Sequence, residues 1–284
     1  MDVTIATLAR DMQMRLVPVY GEGEAKAMVR LIFHSLKGWS LTDMMIHSDN
    51  PASEYLIQKT DGILNRLMKF EPIQYILGEA YFYGMTFKVT PATLIPRPET
   101  EELVDMIVKE NQGEKDLSVL DIGTGSGAIA IALSRNLPFS EVSAIDISPE
   151  ALEIAEENAQ NLHAQIAFIN ADVFSFMPKP GTLDIIASNP PYIDESEKDD
   201  MEPNVVDYEP HQALFVPDSS PLLYYSRITD IAETGLRSNG RLYLEINPRH
   251  ADELKTNLEK AGFADVTILN DINGKRRFIK CLKP

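Results

Sequence analysis

The sequence predicts an α/β protein: a seven-stranded, doubly wound, mostly parallel sheet, preceded by a small N-terminal helical bundle and joined to it by a β-hairpin. Three observations predict it. From about residue 117, short β-rich runs alternate with helical stretches, as βα units do. The last two β-runs are separated only by Asn270-Asp271-Ile272-Asn273-Gly274, too short for a parallel crossover, so they form an antiparallel hairpin. The first 75 residues instead carry apolar side chains at helical spacing. The chain has 284 residues, 44% hydrophobic and 24% charged, enough for one large domain with a buried core and a smaller one.

In the head, residues 1–75, Met28, Val29, Ile32, Phe33 and Leu36 recur at helical spacing, as do Leu56, Ile63, Leu64, Leu67 and Phe70. Ser40 reads as an N-cap with Asp43 in the first turn after it. The expected bundle has core stripes and no chemistry of its own, though it could serve as a docking surface. The linker, 76–93, contains Tyr81-Phe82-Tyr83-Gly84-Met85-Thr86-Phe87-Lys88-Val89, an aromatic β-rich run broken by a glycine, which reads as the hairpin. Residues 94–284 form the main domain. It opens on Ile95-Pro96-Arg97-Pro98, extended and stiff, and a helix follows from Glu99 or Thr100. Strands are expected at 118–122, 142–147, 165–169, 183–188, 241–246, 265–269 and 276–281. Helices are expected at 127–136, 149–161, 222–237 and 250–262.

Composition excludes several classes. The net charge of −17 repels nucleic-acid phosphates unless a local basic patch offsets it, and the only dense basic run is Lys275-Arg276-Arg277. No apolar stretch is long enough to span a bilayer, and the N-terminus lacks the pattern of a secretion signal. One cysteine, Cys281, permits no internal disulfide, so a reducing, cytoplasmic setting is expected. The five histidines show no metal-ligand spacing, and no metal is expected.

Two motifs carry chemistry. The first runs from an apolar strand into a glycine-rich turn and straight into a helix: Asp121-Ile122-Gly123-Thr124-Gly125-Ser126-Gly127-Ala128. Such glycines let backbone approach a ligand closely, but alone the loop also fits a tight βα turn without one. Asp146, ending the next strand, stands where an acid holds ribose hydroxyls in such folds. Asp172, Val173 and Phe174, after the third strand, are placed to flank a purine, or are ordinary packing.

The second motif is Asn189-Pro190-Pro191-Tyr192, after Leu183-Asp184-Ile185-Ile186-Ala187-Ser188. Two prolines bar helix and ladder bonding, so the chain leaves a strand there in a stiff turn. An amide oxygen and free carbonyls gathered in that turn suit a planar NH2 group held for alkylation, with the Tyr192 ring over its face. Asn50-Pro51 and Asn247-Pro248 lack the second proline and the tyrosine and read as turns.

In this order the motifs resemble those of the class I S-adenosylmethionine-dependent methyltransferases, whose seven-stranded sheet ends in an antiparallel hairpin. The resemblance implies that Gly123, Thr124, Gly125, Ser126 and Gly127 pass the methionine part of the cofactor. It also implies that Asp146 holds the ribose, that Asp172 and Val173 flank the base, and that Asn189 lies at the junction with the target. Pro72-Ile73-Gln74-Tyr75-Ile76-Leu77-Gly78, Ile95-Pro96-Arg97-Pro98-Glu99-Thr100, Tyr208-Glu209-Pro210-His211-Gln212-Ala213-Leu214 and Asp271-Ile272-Asn273-Gly274 followed by Arg277 resemble the peptide release factor glutamine methyltransferases.

That family implies methylation of the N5 amide nitrogen of the glutamine in a Gly-Gly-Gln tripeptide of class 1 release factors, with S-adenosyl-L-homocysteine as the second product. Asn189, Pro190, Pro191 and Tyr192 would be catalytic and substrate-binding, and Arg97 and Glu99 would lie near cofactor and substrate. No membrane or direct nucleic-acid partner is expected. A ribosomal-protein glutamine and an adenine N6 use similar site chemistry and stay open as targets. A ligand-binding protein without activity would be expected to carry a damaged site, and Asp121, the three glycines, Asp146 and Asn189 are all present. His250 departs from the family pattern and is assigned no task.

Overall fold

The computed structural model describes residues 3–284. The helical head begins with α1 (Ile5–Lys37), started by a capping box in which Thr4 and Thr7 satisfy each other's backbone N–H groups. Gly21 has φ 77° and ψ 168°, which is not helical, and Pro18 cannot donate to the helical ladder, so α1 is two helices across a kink. It ends at Gly38 in the left-handed region. Ser40 and Asp43 form the capping box of α2 (Leu41–Ile46), and α3 (Glu54–Leu67) and α4 (Ile73–Leu77) follow. Met12, Leu16, Ile32, Phe33, Leu64 and Leu67 are fully buried together.

The hairpin is β1 (Glu79–Phe82) and β2 (Met85–Lys88), antiparallel around Tyr83 and Gly84, both with positive φ. Two consecutive residues of that kind match the right-handed twist of the flanking strands. The rest alternates as expected: α5 (Pro98–Glu110), β3 (Ser118–Ile122), α6 (Ala128–Asn136), β4 (Glu141–Asp146), α7 (Pro149–Asn161), β5 (Ile166–Asn170) and β6 (Leu183–Ser188). A short parallel pair, β7 (Ile193–Asp194) and β8 (Phe215–Val216), brackets α8 (Pro203–Val206). Then come α9 (Leu223–Gly235), β9 (Leu236–Glu245), α10 (Ala251–Lys260), β10 (Ala264–Asn270) and β11 (Arg276–Leu282).

The seven strands lie in the order β10-β11-β9-β6-β3-β4-β5. Only β11 runs against its neighbours; it pairs antiparallel with both β10 and β9. The central strands β3 and β6 are covered on both faces, which is why they read as nearly unbroken apolar runs. The order reverses between β3 and β6, and open α/β sheets hold ligands outside the carboxyl ends of the strands at such a point.

The chain divides into two compact units. One is the head through Gly78 with Pro203–Tyr208, where the Tyr208 hydroxyl donates to the Lys69 carbonyl at 2.7 Å. The other is Glu79–Glu202 with Glu209–Pro284, which holds the hairpin and the whole seven-stranded sheet. Among the described residues no helix is long and apolar enough to cross a membrane. Also among them, no group of three or more His, Cys, Asp or Glu residues is arranged to hold a metal ion.

Candidate active site

Above the carboxyl ends of β3, β4 and β6 lies a cavity of about 390 Å³. Gly123, Gly125, Asp146, Asp172, Val173, Asn189, Pro190 and Pro191 line it, so both sequence motifs open onto one space. Ile122, Ile145 and Ile147 add apolar wall, and Leu94, Gln212, Ala213 and Tyr224 come from loops and α9.

The glycine turn is set by positive φ at Gly123 (74°), Gly125 (55°) and Gly127 (83°), a region closed to most side chains. Its glycines divide by role. Gly123 and Gly125 face the cavity, while Gly127 is buried and does not. A Cβ on Gly127 would stand 3.0 Å from Ile131 and 3.2 Å from Ala155, so this residue serves the packing of α6 on α7. Thr124 and Ser126 are also buried and turned from the cavity. The Thr124 hydroxyl donates to Asp121 Oδ2 at 2.7 Å, and the Ser126 carbonyl accepts from Asn158.

Asp146 braces the turn. Its Oδ2 accepts from the Gly125 N–H at 2.8 Å and its Oδ1 from the Ser148 N–H at 3.0 Å. Each oxygen keeps a lone pair for a hydroxyl of a vicinal diol. Burial pushes the Asp146 carboxyl above its ordinary value, against the pull of those N–H bonds. Behind it Asp121 is fully buried, its Oδ2 held by Thr124 and the Ala130 N–H while Oδ1 has no partner. Desolvation pushes Asp121 up to about 7.

Asp172 Oδ1 takes the Phe174 N–H at 2.9 Å, which turns the chain after β5 along the cavity wall. Phe174 itself is exposed and packs 5.3 Å from the ring of Tyr224, behind the wall. An acid at a strand end, close glycine backbone, apolar wall and an acceptor at Asp172 form a donor and acceptor set that suits a nucleoside with a charged tail.

The proline corner is latched from several sides. The Ser188 hydroxyl donates to the Ile122 carbonyl at 2.6 Å, tying β6 to β3 just before Asn189. The Tyr192 N–H reaches the Leu214 carbonyl, and Asn247 Nδ2 donates to the Tyr192 carbonyl at 3.0 Å. Tyr192 does not line the cavity: its hydroxyl turns inward and donates to the buried Glu245 at 2.9 Å. Burial against that carboxylate pushes the phenol well above its ordinary value. Asn189 Nδ2 donates to the Thr100 hydroxyl at 3.2 Å. Among the described residues no protein donor reaches Asn189 Oδ1 or the Pro190 carbonyl, so both acceptors remain available.

Arg97 and Glu99 do not line the cavity either. Arg97 pairs with the buried Glu209 at 2.5 Å, and the other oxygen of Glu209 takes the Ile95 N–H at 3.1 Å. One carboxylate thus fixes the Ile95-Pro96-Arg97-Pro98 segment. Glu99 sits in the first turn of α5, within electrostatic reach of Glu245 and Arg277. His250 contacts Asp194 at 2.9 Å, away from the cavity lining.

Residues 99–207 match the family model of the methyltransferase small domain, and residues 16–78 match the PrmC N-terminal domain. The chain is 48% identical over 265 residues to a release factor glutamine methyltransferase of Bacteroides thetaiotaomicron, covering 93% of this chain and 95% of that one. It is 42% identical to the protein of the same name from Flavobacterium psychrophilum, covering 93% and 94%. Among solved structures, a Thermus thermophilus 16S rRNA N2 G1207 methyltransferase, in complex with AdoMet and guanosine, superposes with a TM-score of 0.54 at 18% identity. That match covers 72% of this chain and 50% of that one, and it is a likeness of fold.

Proposed function

From the premise that the chain belongs to the release factor glutamine methyltransferase family, we propose that it methylates the N5 amide nitrogen of the glutamine in the Gly-Gly-Gln motif of class 1 release factors. The chain is a methyltransferase, and S-adenosyl-L-methionine is the cofactor this reading assigns to the cavity. One observation carries the assignment of the site: two acceptors with no protein donor, Asn189 Oδ1 and the Pro190 carbonyl, belong to residues on the wall that Gly123, Gly125 and Asp146 also line. The names of the relatives favour a release factor over a ribosomal protein or an adenine as target.

When bound, S-adenosyl-L-methionine would supply an electrophilic methyl on a sulfonium, with S-adenosyl-L-homocysteine as the second product. Its ribose diol is assigned to Asp146, its base to Asp172 and Val173, and its methionine part to the backbone at Gly123 and Gly125. The protein's own task is to make a poor nucleophile react. An amide nitrogen has its lone pair delocalised into the carbonyl. Asn189 Oδ1 and the Pro190 carbonyl each accept one N–H of the target amide, hold its plane, and favour positive charge on nitrogen as the N–C bond forms. Pro190 and Pro191 keep those acceptors from relaxing. The product nitrogen then loses a proton to solvent, so no strong base is needed. Tyr192 holds the corner from behind through Glu245, and Arg97 holds the neighbouring segment through Glu209. The head, residues 1–75, is proposed to contribute docking of the protein substrate and no chemistry, and residues 76–93 to be its linker to the main domain.

The test is incubation of the full chain with methyl-labelled cofactor, a class 1 release factor, ribosomal proteins and nucleic acid, followed by mass spectrometry of the products. One added methyl on the Gly-Gly-Gln glutamine is expected. Label on a ribosomal protein or an adenine, with none on the release factor, overturns the assignment.

A further inference from the structure

Glu245 ends β9 with its side chain inside the protein, 1% exposed. A buried carboxylate is costly unless every lone pair has an answer. Here Oε1 accepts from the Tyr192 hydroxyl at 2.9 Å and Oε2 from the Thr100 hydroxyl at 2.7 Å, with the Arg277 guanidinium close by. Thr100, 4% exposed, has one proton to give, and a carboxylate can only accept it. The Thr100 oxygen is left with lone pairs alone toward Asn189, 3.2 Å away, so the group of Asn189 facing it is the NH2. The other end of that amide, Oδ1, is the one left for a substrate.

The two ends of an asparagine amide have nearly the same shape, so packing does not choose between them; hydrogen bonds do. A reversed amide would set NH2 against the NH2 of the target glutamine, donor against donor.

We propose that Glu245 and Thr100 are positioning residues for the methyl transfer: the carboxylate accepts the hydrogen bond of the Thr100 hydroxyl, and the Thr100 oxygen then fixes which end of the Asn189 amide meets the substrate. This rests on the reading of Asn189 as the acceptor for the target amide. The polarity of the chain depends on the charge of Glu245. A protonated Glu245 donates to Thr100, frees the Thr100 proton for Asn189 Oδ1, and permits the reversed amide. The groups facing Glu245 are Glu99 and Thr100 from α5, Tyr192 from the proline corner, Tyr225 from α9 and Arg277 from β11. Burial raises the Glu245 carboxyl above its ordinary value, while Thr100, Tyr192 and Arg277 pull it back.

The experiment measures kcat and KM on a release factor, with calorimetric cofactor affinity, for wild type, Thr100→Val, Thr100→Ser and Glu245→Gln. Thr100→Val keeps the shape and removes the hydroxyl; kcat is expected to fall on the order of 10²-fold with cofactor affinity unchanged. Thr100→Ser is expected to return most of it. At saturating cofactor and substrate, wild-type kcat is expected to fall on the acid side as Glu245 takes a proton, and Glu245→Gln to lack that limb. Wild-type kcat in Thr100→Val, a Thr100→Ser as poor as the valine, or an acid limb kept in Glu245→Gln overturns the proposal. Should Thr100→Val fail to fold, the pH profile of Glu245→Gln decides. Wild-type enzyme that leaves release factor unmethylated refutes the functional reading itself and this inference with it.

Discussion

At the scale of single residues, two side chains separate cofactor binding from chemistry. Asp146 spends one lone pair of each oxygen on the Gly125 and Ser148 N–H groups. It therefore shapes the turn and has acceptors left for a diol. Asp146→Ala removes both services, and cofactor affinity is expected to weaken by about 1–3 kcal/mol in calorimetry; unchanged affinity would take Asp146 out of the site. Asn189 is different, since its assigned partner is the target amide. Asn189→Ala is expected to lower kcat by roughly 10²–10³-fold while cofactor affinity stays near wild type, and a parallel loss of both would count against its assigned role. Both residues stand out in the sequence because each sits where a strand ends, and a strand end is visible as the close of an apolar run. Glu245 does not stand out, and nothing in the sequence joins it to Thr100. They lie 145 residues apart, and only the meeting of α5 with the end of β9 brings them together.

At the scale of elements, the join between β3 and α6 depends on one glycine more than the others. Gly127 combines φ 83° with neighbours at 3.0 and 3.2 Å from a would-be Cβ, whereas Gly123 has φ 74° and open space. The left-handed backbone alone costs a side chain about 1–2 kcal/mol, and overpacking adds about 1–3 kcal/mol more. Denaturant unfolding without cofactor is expected to show Gly127→Ala clearly less stable than Gly123→Ala; equal losses would mean that Ile131 and Ala155 give way freely. The distinction is invisible in the sequence, where the glycines share one motif, because it depends on where α7 packs. The strands divide in the same way. β3 and β6 are legible since both faces are buried and their residues are apolar almost throughout. The start of β9 is not, because Arg237, Ser238 and Asn239 are exposed and the register with β6 shifts between Leu183 and Ile185. The kink at Gly21 is equally hidden within a run that keeps its helical spacing on both sides.

At the scale of the whole molecule, buried carboxylates set how stability varies with pH. Asp121 is pushed up to about 7 by desolvation, and burial also raises Asp146 and Glu245. In the unfolded chain an aspartate gives up its proton near its ordinary value of about 4. Between that value and about 7 the native state therefore binds more protons at Asp121 than the unfolded state does. The stabilisation from this group is complete below the unfolded value and is lost as pH rises through about 7. Other carboxylates act in the opposite sense: Glu71, held down by Arg66, and Asp271, held down by the Lys275 N–H, lose their contribution only as pH falls below the ordinary carboxylate range. The two windows do not overlap. Without cofactor, the melting temperature is expected to peak on the acid side of neutrality and to decline toward pH 8, where the net charge of −17 also adds self-repulsion. Asp121→Asn removes the titrating group while its amide oxygen still accepts from Thr124 and Ala130. Its melting temperature is expected to change much less between about pH 5 and about pH 8. If the wild-type and Asp121→Asn curves run parallel across that range, Asp121 ionises normally in the fold, and its unpartnered oxygen is not the source of the pH dependence.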